Sequence, residues 1–228
     1  MLDFHAHVLP GADHGSDGLN TSLRQLKLAE QAGIDVLIAT THFYPQVEEF
    51  ASFAEKRRSA YKSLMEHYRG SVRVLAGAEV HMCVGLDHLD GLWELCIPGT
   101  DVMLCELPFR SAPSGLAETF ERMMDLGIRP VLAHVDRYDP TWIDNLFAMG
   151  LSGQLNAEPL SKPFHRRRLL PWIDNGQIVA LGSDIHGTEI GYSQYRKAVE
   201  YLGDRAGLIE RRVRALLQDA LEGKTPAP

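Results

Sequence analysis

Short runs of apolar residues alternate with amphipathic stretches along most of the 228-residue chain. Seven of these runs have the length and aliphatic content of buried strands, and they cover 2–8, 34–40, 72–80, 101–107, 129–134, 151–156 and 177–183. Between and after them, apolar residues at helical spacing predict helices over 20–32, 47–68, 115–126, 140–149, 162–175, 192–202 and 208–221. Asn20 or Thr21 is the predicted N-cap of the first helix.

Strands that alternate with helices predict right-handed crossovers and a mostly parallel α/β sheet. Both a doubly wound open sheet and a closed barrel satisfy this pattern. No internal repeat, low-complexity segment or linker divides the chain. We therefore expect one domain over 1–222, followed by a flexible tail over 223–228.

Composition narrows the functional classes. The formal net charge of −7 argues against a nucleic-acid or membrane-surface binder, although bound cations would let an anionic substrate enter. The three cysteines (Cys83, Cys96 and Cys105) form no CxxC pair, which favours a reducing compartment. No apolar run approaches the ~18 residues of a membrane helix, and no signal-peptide pattern opens the chain. The expected location is cytoplasmic.

Polar residues stand where the predicted strands end. They are His5 and His7, His42, Glu79 with His81, Glu106, His134, Asn156, and Asp184 with His186. In a parallel barrel these ends converge on one rim, whereas in an open sheet they would be strung along an edge. The polar pattern therefore favours a closed or nearly closed seven-stranded (β/α) barrel of the TIM type, with its active site at the C-terminal strand ends.

The spacing of two pairs points to a metal site. His5 and His7, like Asp184 and His186, are two residues apart, so in a strand each pair lies on one face, and Asp3 is expected on the face of His5. Such histidines are also found as ordinary core residues. A set of His, Asp and Glu without a thiolate favours Mn, Fe or Zn, and the surplus of donors predicts two or three ions that activate a bridging water.

These residues also carry a family resemblance. The motifs DFHAHVLPGADHG, ATTHFYP, GAEVH, CELPF, LAHVDRY, QLNA and GSDIHG, between Leu2 and about Gly187, resemble those of the PHP (polymerase and histidinol phosphatase) superfamily. More narrowly, the chain resembles the manganese-dependent protein-tyrosine phosphatases of bacterial capsule and exopolysaccharide operons. The resemblance implies a distorted seven-stranded barrel, a trinuclear metal centre, and a tyrosine autokinase of polysaccharide export as the phosphoprotein partner.

The resemblance also implies roles for individual residues. The family's ligands fall on His5, His7, His42, Glu79, Glu106, His134, Asp184 and His186, with Glu79 bridging two ions. Arg137 matches the arginine that grips the substrate phosphate. His14 stands where the family has an acidic ligand, so it is either the ninth ligand or a surface residue. A second phosphate-binding arginine is missing after His186, and Arg110 or Arg166 would have to replace it.

For other residues the sequence supports less specific predictions. His81 has three open interpretations: an outer partner of a ligand, a substrate contact or a surface residue. Asp13 is expected to order its loop, and the run from His165 to Arg168 to form a solvated helix face. The spacing of Cys105 and Arg110 does not match the Cys-x5-Arg phosphate loop, and no GxSxG or Walker A motif is present, which argues against a side-chain nucleophile.

Three functions follow. The first is a metal-dependent protein-tyrosine phosphatase that uses a metal-bridging hydroxide. The second keeps the metal centre but hydrolyses a small phosphate ester such as a sugar phosphate, a nucleotide or histidinol phosphate. The third is a non-catalytic regulatory protein, which would be expected to have lost its ligands.

Overall fold

The fold was analysed in a computed structural model that describes residues 1–109, 113–187 and 190–223. All seven predicted strands form: β1 (Leu2–Ala6), β2 (Val36–Phe43), β3 (Arg73–His81), β4 (Val102–Glu106), β5 (Arg129–Leu132), β6 (Ser152–Asn156) and β7 (Ile178–Gly182). The helices are α1 (Leu19–Gln31), α2 (Phe50–His67), α3 (Leu116–Asp125), α4 (Pro140–Ala148), α5 (Ala157–Ser161), α6 (Pro163–Asp174), α7 (Ile190–Leu202), α8 (Asp204–Leu216) and α9 (Gln218–Glu222). Short 3₁₀ turns cover Leu86–His88, Leu92–Leu95 and Val135–Arg137.

The strands form one parallel sheet in the order β1 to β7. The two edges meet at the end of β1 and just beyond β7, where Ala6 forms an isolated parallel bridge with Ile185. The backbone N–H of Asp184 donates to the carbonyl of His5 at 2.7 Å, and that of His7 to the carbonyl of Ile185 at 3.1 Å. The sheet is therefore nearly closed into the predicted barrel, and the helices surround it.

Alternate strand residues divide the apolar core into two clusters. Residues such as Leu37, Met103 and Cys105 pack between the strands and the helices. The second cluster fills the barrel and includes Phe4, Ile38, Leu104 and Val131. Val213 of α8 and Leu217, just after α8, belong to this inner cluster, so the C-terminal helices cover the end of the barrel at which the strands begin. The opposite end, at which the strands finish, is left for polar residues.

Leu217→Ala should lower the free energy of unfolding by about 2–4 kcal/mol, because a fully buried leucine is removed from the inner core and leaves a cavity. For a chain of this length we expect a drop of roughly 5–15 °C in the melting temperature. The matched control is Leu208→Ala on α8, where the leucine is 39% exposed. Equal melting temperatures for the two variants in a thermal unfolding experiment would contradict the assigned role of Leu217.

Some predicted boundaries were wrong. Helix α1 begins at Leu19 after Gly18, with no side-chain cap, so neither Asn20 nor Thr21 is its N-cap. Strand β5 stops at Leu132 and not at His134, because His134 has a left-handed backbone conformation (φ 32°). Residues 224–228 of the predicted tail, like Arg110, lie outside the described residues. Across the described ranges, every helix is too short or too polar to cross a membrane.

Candidate metal centre

Inward-facing positions change from apolar to polar as the strands approach the open end of the barrel. In β4, Val102 and Leu104 point into the inner core, and Glu106, the next inward residue, ends the strand. In β2, Ile38 lies in the inner core, and His42 follows on the same face. Because the parallel strands all finish at this end, the same change in each strand places the polar side chains around one space.

A β-bulge in β1 determines which of its residues face this space. Asp3 pairs with Leu37, but Ala6 pairs with Ala39, so three steps along β1 match two along β2. Leu2 and Phe4 point into the inner core, whereas Ala6 packs on the outside, so the alternation reverses between Phe4 and Ala6. The expectation that Asp3 shares the face of His5 was therefore wrong.

Asp3 instead supports the strand from the other side. Its carboxylate accepts hydrogen bonds from the N–H and hydroxyl of Ser183 at 2.8 and 2.6 Å, and from the hydroxyl of Tyr192 on α7 at 3.0 Å. Burial raises the pKa of Asp3, although these hydrogen bonds act in the opposite direction. The residue ties β1 to the end of β7 and so helps to place both histidine-bearing strand ends.

Glu79 lies at the centre of the polar cluster. Its Oε2 atom is 3.1 Å from Nε2 of His5, 3.3 Å from Nε2 of His7 and 3.0 Å from Nδ1 of His42. Its other oxygen, Oε1, is 2.8 Å from Nε2 of His134. One buried carboxylate is thus surrounded by imidazole nitrogens from β1, β2 and the segment after β5. This geometry allows its two oxygens to serve two different cations.

The remaining predicted ligands extend the cluster in two directions. On one side, Oδ1 of Asp184 is 3.6 Å from Nε2 of His5, and Nδ1 of His186 is 3.4 Å from that same oxygen. On the other side, Oε1 of Glu106 is 3.7 Å from Nε2 of His134. Within the described residues, three groups bring one donor atom each to within 4.8 Å of one another: His7, His42 and His186; His5, His7 and Asp184; and His42, Glu79 and Glu106.

His14 reaches the same place from its loop. Its ring stacks on that of His42 at a centroid distance of 4.5 Å and on that of His186 at 4.8 Å. The side chain is exposed, and His14 belongs to none of the three donor groups found in the described part of the chain. The structure therefore places His14 at the mouth of the cluster, and its role as a ligand stays a prediction.

Charges in the cluster favour ionised carboxylates and neutral outer imidazoles. Burial by itself would raise the pKa of Glu79, but the charge on His5 and the hydrogen bond from His134 hold it well below its usual range. Burial lowers the pKa of His42 to about 3 and also lowers the pKa of His186. A bound cation would also keep the carboxylates ionised and His42 and His186 neutral, and it would replace the positive charge on His5, because metal ligands must be deprotonated.

The backbone is strained at two of these residues. His134 (φ 32°) and Asp184 (φ 52°) are the non-glycine residues with a positive φ in the described ranges. Both belong to the predicted ligand set. A left-handed conformation at a residue other than glycine costs free energy and persists only where the surroundings enforce it. At both positions, which follow the ends of β5 and β7, a predicted ligand contacts the cluster from a residue in this conformation.

Buried polar atoms without a partner support a cation in the cluster. Nε2 of His42 has no hydrogen-bond partner among the described residues, and Oε2 of Glu79, although imidazole nitrogens lie around it, forms no hydrogen bond of regular geometry with them. Buried polar groups are rarely left unpaired, because the loss of hydration is unfavourable. Imidazole nitrogens such as Nε2 of His42 and carboxylate oxygens such as Oε2 of Glu79 are donors that bind Mn, Fe or Zn. The residues present therefore fit divalent metal ions.

Three supporting residues have roles that the sequence did not reveal. The Asp13 carboxylate bonds to Nδ1 of His7 at 2.9 Å and accepts the N–H of His42 at 3.0 Å, so it orients two predicted ligands as well as its own loop. The amide oxygen of Gln154 is 3.1 Å from Nδ1 of His5, and Asn156 donates to Asp184 at 2.9 Å. Outer partners of this kind fix the ring orientation of ligating histidines.

Asp13→Asn should reduce metal affinity and activity by about 10- to 100-fold, because the amide cannot supply the charge that orients His7. The carboxylate of Asp13 is suited to this role: burial would raise its pKa, but the hydrogen bond and charge of His7, together with the N–H groups of Gly15 and His42, keep the pKa below its usual range. The matched control is Asp17→Asn, which changes an exposed carboxylate in the same loop. Metal titrations of the two variants, if indistinguishable, would contradict this role.

The other predicted site residues fall into three places. Arg137 lies at the mouth, partly exposed, and its guanidinium hydrogen-bonds to Oδ2 of Asp184. His81 contacts Oε2 of Glu106 through Nδ1 at 3.1 Å, which makes it a partner of a predicted ligand. Arg166 instead stacks on the ring of Tyr201, 3.5 Å from its centroid. Cys105 is buried on the outer side of β4, away from the cluster.

Comparisons with known proteins agree on one family. The family model for capsular polysaccharide synthesis proteins CpsB/CapC matches residues 1–220. The tyrosine-protein phosphatase CpsB of Streptococcus pneumoniae is 23% identical over 228 residues, covering 91% of each chain. The tyrosine-protein phosphatase YwqE of Bacillus subtilis is 26% identical over 200 residues, covering 83% of this chain and 78% of YwqE.

A solved structure supports the fold. It comes from work on YwqE of Bacillus subtilis and CpsB of Streptococcus pneumoniae, described as metal-dependent tyrosine phosphatases. It superposes with a TM-score of 0.82 at 23% identity and covers 96% of this chain and 95% of the solved one. The nearly closed barrel is therefore shared over almost the whole length.

Proposed function

The chain belongs to the CpsB/CapC family of capsular polysaccharide synthesis proteins, and on that basis we propose that it is a metal-dependent protein-tyrosine phosphatase. One observation carries the proposal above all others. The buried Glu79 carboxylate lies within 3.3 Å of nitrogens from His5, His7, His42 and His134 at the open end of the barrel. Such a cluster suits cations, because carboxylate oxygens and imidazole nitrogens are the donors that Mn, Fe and Zn bind.

Nine residues are proposed as metal ligands. They are His5, His7, His14, His42, Glu79, Glu106, His134, Asp184 and His186. With donors in this number and of this type, two or three divalent ions are proposed, manganese in the first place and iron or zinc as alternatives. Glu79 is the proposed bridge, because its two oxygens face different histidines.

When bound, ions in such a site activate water and neutralise charge on phosphoryl oxygens. The chain itself supplies position and charge. Asp13 and Gln154 orient the rings of His7 and His5, so the donor nitrogens stay directed inward. Arg137 is proposed as the residue that grips the phosphate, since its partly exposed guanidinium is held at the mouth by Asp184.

The substrate is proposed to be phosphotyrosine on a protein, with a tyrosine autokinase of polysaccharide export as the biological partner. The relatives are named tyrosine-protein phosphatases, and the CpsB/CapC family belongs to capsular polysaccharide synthesis. A cytoplasmic location is also proposed. Cys83, Cys96 and Cys105 are all free thiols, as expected in a reducing compartment.

A substrate panel tests this function. Protein stripped of metal and reloaded with Mn²⁺, Fe²⁺ or Zn²⁺ is assayed on a phosphotyrosine peptide, phosphoserine, a sugar phosphate, a nucleotide and histidinol phosphate. We expect the phosphotyrosine peptide to be hydrolysed fastest and the reaction to stop with a chelator. Preference for a small alkyl phosphate would show that the substrate is a small phosphate ester and not phosphotyrosine. The absence of any chelator-sensitive hydrolysis would overturn the proposed activity.

A further inference from the structure

Phe109 is an apolar side chain at the edge of a polar site. It follows Glu106, the last residue of β4, by three positions, so it stands at the open end of the barrel. Its side chain is 64% exposed. A phenyl ring in this position contributes little to the core, and its outer surface is open to whatever approaches the metal cluster.

The inner side of the ring contacts other aromatic rings. It lies nearly parallel to the ring of His134, with an angle of 12° and a centroid distance of 6.5 Å, and it packs on Tyr138 at 5.9 Å. The Tyr138 hydroxyl donates to the carbonyl of Leu107 at 2.9 Å and accepts from its N–H at 3.1 Å. Trp142 in turn packs edge-on against Tyr138 at 5.8 Å. Phe109 therefore packs on rings that are themselves buried and, at Tyr138, hydrogen-bonded to the backbone.

We propose that Phe109 is the platform on which the aromatic ring of the substrate packs, so that the site selects aryl over alkyl phosphate monoesters. The inference rests on the proposed function and adds the residue that would confer its substrate class. Phe109 neighbours His134, which contacts both Glu79 and Glu106, so a phosphate at the cluster places its ester substituent within reach of this rim. An aryl substituent would cover the exposed face of Phe109, whereas a short alkyl substituent would not.

The expected size of the effect follows from aromatic pairing. A ring pair adds favourable free energy beyond the apolar area that it buries, equivalent to about 3- to 10-fold in affinity. The gain applies to phenyl compounds alone, because the phosphate group meets the same cluster in both classes. Loss of the Phe109 ring should therefore weaken the preference for phenyl over alkyl compounds, and it should leave binding of the phosphate group intact.

The test compares phenylphosphonate with methylphosphonate by calorimetric titration of Mn²⁺-loaded protein, and phenyl phosphate with ethyl phosphate by kcat/KM. The variants are Phe109→Ala and Phe109→Tyr, which keeps a ring. Trp93→Ala is the control, because Trp93 is a 51% exposed aromatic residue that lies beside Gly127, just before β5, at the other end of the barrel. Thermal unfolding of each variant checks that the fold is retained.

We expect Phe109→Ala to lose about 3- to 10-fold for the phenyl compounds only, through Kd and KM and not kcat. Phe109→Tyr and Trp93→Ala should behave as the unmodified protein does. Equal losses for phenyl and methyl compounds, or no loss at all, would overturn the proposal. If the unmodified protein hydrolysed no phosphate ester, the proposed function would fail, while the phosphonate titrations would still decide whether Phe109 binds aromatic rings.

Discussion

Glu79→Gln should remove nearly all phosphatase activity. Loss of an outer partner of a metal ligand already costs about 10- to 100-fold, so loss of the central carboxylate should exceed about 100-fold. The physical reason is charge: Glu79 is the anion that His5, His7, His42 and His134 surround, and glutamine retains its size but not its charge. The loss should appear in kcat with a phosphotyrosine peptide at saturating Mn²⁺.

A matched variant separates this effect from a general one. Glu118→Gln makes the same chemical change at an exposed position of α3. It should leave activity within about twofold, as surface substitutions far from a site usually do. Circular dichroism should show both variants folded. If Glu79→Gln retained more than a tenth of the activity while remaining folded, Glu79 would not be the central ligand.

Removal of metal should abolish activity and lower stability together. A ligand that binds only the native state at 100 times its dissociation constant stabilises a protein by about 2.7 kcal/mol. For a chain of this size that corresponds to roughly 5–10 °C in melting temperature. We therefore expect chelation to reduce the melting temperature by this amount and Mn²⁺ to restore both properties.

His5→Ala should remove this response to metal. His5 is fully buried and contacts Glu79 and, more distantly, Asp184, so its loss removes a donor shared by both sides of the cluster. His67→Ala, which changes an exposed histidine on α2, is the control and should keep the full response. Melting temperatures are measured with and without Mn²⁺. An unchanged response to Mn²⁺ in His5→Ala would show that the stabilising ion binds elsewhere.

Much of the fold and the site follows from local sequence. Seven apolar runs predicted seven strands, because buried parallel strands are apolar on both faces. The barrel was predicted from the polar residues at the strand ends, because these residues can form one site only if the strand ends converge. Glu79 and Glu106 were identified because each stands at the end of an apolar strand, where a buried carboxylate is unfavourable without a partner. The structure brings these residues to one place.

The remainder depends on contacts between distant segments. The β-bulge in β1 arises from pairing with β2, so the sequence of β1 alone suggested that Asp3 lay beside His5. Gln154 was not identified as a partner of His5 because the two residues meet only when β6 and β1 enter the same barrel. The predicted fifth strand ended too late, at His134, because the left-handed backbone conformation of this residue cannot be recognised within an apolar run of sequence.

Anomalous X-ray diffraction from crystals grown with Mn²⁺, recorded on both sides of the manganese absorption edge, tests the metal assignment most directly. We predict two or three manganese peaks at the open end of the barrel. At least one should be bounded by His5, His7 and Asp184, and Glu79 should contact two ions. Crystals of active protein without an anomalous peak among these residues would contradict the assignment of this cluster as the metal centre.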